Sequence, residues 1–156
     1  MRVLVKCMHG IGDSLYARPF IKMLVADGHN VYLNTPLPFL YADLDLKFVK
    51  TKTPLRAQSR YLETSKIEFV DEPPDVEKTI NYFYTHGDLK RHTIVSHLEN
   101  AFGYGAGNTK PVFDLPALPP HGVELPTGRK IAVVRPVTHR REWLCTSRSP
   151  QPIYVP

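Results

Sequence analysis

Residues Met1 to Leu33 constrain the fold more than any other stretch. Arg2-Val3-Leu4-Val5-Lys6-Cys7 is a short β-branched run of the kind that forms a buried parallel strand. The turn His9-Gly10-Ile11-Gly12-Asp13-Ser14 follows. Leu15 to Asp27 then reads as a helix, with Tyr16, Phe20, Met23 and Leu24 expected on its apolar face. Gly28 stops it, and Val31-Tyr32-Leu33 reads as a second strand. A strand–turn–helix–strand unit of this kind opens a Rossmann-like, doubly wound parallel α/β sheet.

The turn carries the chemistry. Gly10 and Gly12 let the backbone bend sharply and approach a ligand without Cβ interference. Asp13 or Ser14 is expected to cap the helix, whose free N–H groups favour an anion or a polar ligand. In an open α/β sheet, ligands bind outside the C-terminal ends of the strands, where this turn lies. It is not a dinucleotide fingerprint, because Leu15 stands where the third glycine would be. Pro19, one turn deeper than a first-position proline, is expected to bend the helix.

A chain of 156 residues can bury a real core and reads as one domain with a fragment of another. No apolar run reaches the ~20 residues that span a bilayer, and Arg2 to Lys6 is too short and charged for a signal peptide. Two lone cysteines, Cys7 and Cys145, form neither a disulfide framework nor a metal pattern, so a cytoplasmic location is expected. A net charge of +5 suggests an anionic partner. The basic residues do not gather into one dense run, which ranks nucleic acid last.

Leu46 to Val49 reads as a third strand, followed by a basic loop from Lys50 to Arg56. If the strands are parallel, this loop lies on the same sheet edge as the glycine turn, and Lys50, Lys52 and Arg56 face an anionic ligand there. Ile67 to Val70 and Thr79 to Thr85 are further strands, the second rich in aromatics. Ile94 to Phe102 reads as a helix ended by Gly103, burying Ile94, Val95, Leu98, Ala101 and Phe102. His86, His92 and His97 are not spaced to share a helical face, so no metal is expected. The first domain is taken as 1–118 and a proline-rich linker as 119–129. Residues 130–156 read as the first strand and basic loop of an incomplete second domain.

Three stretches together resemble the heptosyltransferase-like glycosyltransferases of the GT-B fold, particularly their divergent bacteriophage-type members. They are Gly12-Asp13-Ser14-Leu15 with Pro19 and Leu24, then Asn100-Ala101-Phe102-Gly103 with Pro111 to Pro116, and Val133-Val134-Arg135-Pro136 with Arg141-Glu142-Trp143. The resemblance implies that residues 1–118 are the acceptor-side half of such an enzyme, and that a sugar passes with inversion from a nucleotide-sugar to an acceptor hydroxyl. Asp13 falls where the family has its general base. Gly10, Gly12, Ser14, Lys52 and Arg56 are the candidate acceptor-binding residues. Thr138 and Arg141, with Arg140 beside them, fall near the donor phosphates. The nucleotide-sugar is a substrate, and neither a metal nor another cofactor is expected.

The donor domain implied by this family is largely missing from the sequence, so the chain alone is expected to be inactive or incomplete, completed by a second polypeptide or a second copy. The alternative is a non-catalytic module that holds a phosphorylated ligand with the Gly10–Ser14 turn.

Overall fold

The computed structural model describes residues 1–116. They form five strands, β1 (Arg2–Lys6), β2 (Asn30–Asn34), β3 (Lys47–Val49), β4 (Phe69–Val70) and β5 (Lys78–Asn81). The helices are α1 (Ile11–Ala26), α2 (Arg56–Thr64), the single turn α3 (His86–Leu89) and α4 (Ile94–Phe102), with a 3-10 turn at Pro38–Tyr41. No helix among the described residues is long and apolar enough to cross a membrane.

All four strand pairings are parallel, in the order β4-β3-β2-β1-β5. The fold is therefore α/β and Rossmann-like, as the opening unit implies. The chain steps outward from β1 to β4, then returns to add β5 on the free side of β1. That reversal makes a topological switch point between β1 and β5, the place beyond the strand ends where open α/β sheets take their ligands.

The pleat explains the core. Val3, Val5, Val31, Leu33 and Ile80 point to the face covered by α1, α4 and the 3-10 turn, where they meet Phe20, Ile21, Leu24, Leu40, Leu98 and Phe102. Leu4, Tyr32 and Val49 point the other way, against Val70 and Val76. Phe102 sits between Phe20 and Tyr82, with ring centroids 5.5 and 5.9 Å away.

Helix α4 has the bounds its periodicity predicts. Thr93 caps it by accepting from Ser96 N at 3.1 Å, and Gly103 ends it at φ +89°, a left-handed conformation that only glycine adopts without strain. Other elements differ from the sequence reading. Helix α1 begins at Ile11, its N-cap is Gly10, and no side chain caps it, so neither Asp13 nor Ser14 has that role. It runs unbroken through the buried Pro19. Its inner face is Ala17, Phe20, Ile21 and Leu24, while Tyr16 is exposed. The predicted register is displaced because the face must also admit Arg18, which is fully buried.

Strand β5 ends at Asn81 rather than Thr85 because β1, its ladder partner among the described residues, ends at Lys6 opposite it. Residues 82–84 nevertheless keep an alternating pattern, with Tyr82 buried, Phe83 exposed and Tyr84 half-buried. The basic loop stops at Leu55, and Arg56 opens α2, a polar helix with no fully buried residue.

Two buried charged groups organise the remaining loops. The Arg18 guanidinium donates to the Leu40 carbonyl at 2.7 Å, to both Asp43 oxygens, and to Asp114 at 3.2 Å. Lys22 joins Asp114 at 2.5 Å, so the segment that follows α4 is tied back across α1. Glu99, almost sealed, accepts from Gly107 N, Thr109 N and the Thr109 hydroxyl at 2.6, 3.2 and 2.5 Å, replacing solvent around its carboxylate.

Candidate functional site

The glycine turn leaves β1 at the C-terminal edge of the sheet and delivers Asp13 to the first turn of α1. Gly10 is required there by its neighbour rather than by its backbone angles. Its φ is an ordinary −76°, but a Cβ at this position would run into the Asp13 carboxylate. Oδ2 of Asp13 rests in the space that the missing Cβ leaves. Gly12 is under no such constraint, since a Cβ there would meet nothing.

Across the switch point, the chain leaving β5 brings Tyr84 to the same place, and its hydroxyl donates to Oδ1 of Asp13. Burial and the Asp13 carboxylate both hold the Tyr84 phenol well above the ordinary tyrosine range. The His97 ring from α4 packs edge-on against Tyr84, with centroids 5.7 Å apart. Tyr16 lies one helical turn beyond Asp13, and Phe113 packs against its ring at 5.8 Å. A carboxylate is thus flanked by aromatic rings at the switch point.

Helix α2 closes the other side. Gln58 donates to the His9 carbonyl at 2.7 Å, joining the N-terminal turn of α2 to the glycine turn. Thr53 donates to Gln58 Oε1 at 2.7 Å and fixes its orientation. Thr51 donates to Asn34 Oδ1 at 2.7 Å, which links the exits of β3 and β2.

Because the strands are parallel, Lys52 and Arg56 lie on the edge that carries Asp13. Both are exposed and form no ion pair among the described residues, whereas Lys50 is engaged with Asp71 at 2.9 Å. Arg56 occupies the first position of α2, against the helix dipole, and no side chain caps that end. Ser14 is placed differently from Asp13. It is fully buried, its carbonyl accepts from Tyr41 at 2.8 Å, and its hydroxyl has no partner. Thr138, Arg140 and Arg141, the proposed linker 119–129 and residues 130–156 lie outside the described residues.

Beneath the turn lies a sealed polar cluster. Burial pushes the Cys7 thiol up to about 12, with the side chains of Tyr82, Tyr41 and Thr35 beside it. Among the described residues the Tyr82 hydroxyl, like that of Ser14, is buried without a hydrogen-bond partner. Asp13 Oδ2 also has no partner among the described residues, yet it is not sealed. It is therefore the site's available acceptor.

Asp13, Lys52 and Arg56, named from the sequence, lie on this edge of the sheet, and the sequence does not point to Tyr84, His97 or Gln58 beside them. Tyr84 was treated as a strand residue, and the signal that distinguishes it is its position beyond the last possible ladder partner. Gln58 had no signal, because α2 is a short, strongly polar segment in which only Ala57, Tyr61 and Leu62 are apolar.

Chemically, this arrangement offers one carboxylate to a donor group on a ligand and two free cations nearby. No protein-family model matches the chain, and neither curated proteins nor solved structures include a significant match.

Proposed function

We propose that residues 1–116 are the acceptor side of a glycosyltransferase, with Asp13 as the general base. The observation that carries this reading is the Asp13 carboxylate at the β1/β5 switch point, one oxygen held by Tyr84 and the other without a partner. An acceptor hydroxyl bound there gives its proton to Oδ2 as its oxygen attacks the anomeric carbon of a nucleotide-sugar. The bond from that carbon to the diphosphate breaks, and the nucleoside diphosphate leaves with the electron pair. A positioned base of this kind accelerates proton transfer typically by about 10²–10⁴-fold. Lys52 and Arg56 suit an acceptor that also bears an anionic group, since both charges are free and α2 presents its N-terminus beside them. The resemblance to heptosyltransferase-like enzymes supplies the choice of sugar transfer among hydroxyl chemistries. It assigns Thr138, Arg140 and Arg141 to the donor phosphates.

A second reading is a module that holds a phosphorylated ligand without turnover. It is favoured by the same uncapped, cationic start of α2 and disfavoured by Asp13, which repels a second anion from the start of α1. Thermal-shift titration of the full chain with nucleotide-sugars and sugar phosphates, repeated on Asp13→Asn, separates them. The transferase reading expects saturable stabilisation in both proteins and loss of turnover in the variant alone. Stabilisation by sugar phosphates with no turnover in either protein supports the binding module.

A further inference from the structure

We infer that Tyr84 is a positioning residue for Asp13, holding Oδ1 so that Oδ2 alone is left to receive the acceptor's proton. The inference rests on the reading of Asp13 as general base. Its structural basis is a carboxylate held between Tyr84, from the chain leaving β5, and the Gly10 turn, with His97 of α4 packed on Tyr84. Tyr84 has already left the sheet, so no ladder hydrogen bond holds it. Its hydroxyl reaches a residue 71 positions away. The His97 ring stands at 76° to the Tyr84 ring and blocks its swing toward α4. On the opposite side, Gly10 provides the recess that seats Oδ2.

A free aspartate at a helix start exchanges both oxygens by rotation about its terminal torsion. Here Tyr84 donates to one oxygen and breaks that equivalence. The phenol keeps its own proton, because burial and the adjacent Asp13 charge oppose its ionisation. The groups that face it are Asp13 and Tyr16 on α1 and His97 on α4.

The test uses the full chain with ¹³Cζ-labelled tyrosine, with the Tyr84 resonance identified from Tyr84→Phe. In Asp13→Asn the Tyr84 resonance should titrate at distinctly lower pH than in the wild type, while those of Tyr61 and Tyr104, whose shifts have other causes, hold their positions. In parallel, a water-soluble carbodiimide with a glycine ester should label Asp13 several-fold faster in Tyr84→Phe, located by peptide mass spectrometry. His97→Ala, which leaves the hydroxyl in place but frees its ring, should give a smaller acceleration. An unchanged Tyr84 titration in Asp13→Asn, or unchanged Asp13 labelling in both variants of the clamp, would overturn the inference. Neither readout needs turnover. A failure of sugar transfer with these results intact would remove the proposed reaction and leave the clamp standing.

Discussion

Arg18, fully buried in α1, is bound at both oxygens of Asp43, with Nη1 and Nη2 at 2.9 and 2.6 Å. A planar guanidinium matched to a carboxylate in this way is the arrangement that tolerates burial of an arginine. The two partners are not equivalent, because Asp43 keeps substantial exposure and Arg18 has none.

Asp43→Ala should therefore cost about 3 kcal/mol, since it strands a buried cation with only the Leu40 carbonyl and Asp114 as partners. Arg18→Met should cost less, because the abandoned Asp43 can be solvated. Urea unfolding of both variants measures the order. Equal losses, or a greater loss in Arg18→Met, would contradict the asymmetry.

Acid should weaken the fold through a specific set of carboxylates. Arg18 holds Asp43 below the ordinary aspartate range, Lys22 does the same for Asp114, and the Thr109 hydroxyl does so for Glu99. Each depressed group contributes stability that is complete above its unfolded-state value and lost as pH falls through its folded value. Stability should thus decline below about pH 4. The decline should be shallower in Glu99→Gln than in the wild type. Chemical denaturation between neutral and acid pH checks the slope.

The parallel α/β class and the helix α4 were legible because their signals are local. A β-branched run is buried on both faces, and Thr93 and Gly103 punctuate an apolar period. The site was legible only in part. Asp13 is announced by its glycines, but Tyr84 comes to it from 71 residues away in sequence, brought there by the pairing of β5 with β1. The face of α1 was misjudged for a related reason. Arg18 belongs on the surface by residue type and enters the core only because Asp43 and Asp114 converge on it from separate loops. Nothing within a helical window reveals such partners.

The unpartnered hydroxyls of Ser14 and Tyr82 should be dispensable for folding. Each buried group forgoes a hydrogen bond to water without gaining another, a deficit of about 1–3 kcal/mol. Ser14→Ala and Tyr82→Phe should accordingly leave the melting temperature unchanged or raise it. A marked fall in either would mean that the hydroxyl has a partner.

Cys7 should be chemically silent in the native chain. It is buried, and its thiol is held up to about 12, so little thiolate exists at neutral pH. Iodoacetamide should leave the Cys7 peptide unmodified under native conditions and modify it fully in urea, as read by mass spectrometry. Rapid native labelling would show that the cluster beneath the glycine turn opens.

The central claim is that Asp13 is a base acting on an acceptor hydroxyl, and nucleoside diphosphate release tests it most directly. The full chain would be incubated with a panel of nucleotide-sugars and a panel of neutral and phosphorylated sugars, alongside Asp13→Asn. Since the donor side is expected to come from a second copy or a second polypeptide, the account predicts that whatever acceptor-dependent release the wild type gives falls by about 10²–10⁴-fold in the variant. Acceptor-dependent release that is equal in the two proteins would contradict it.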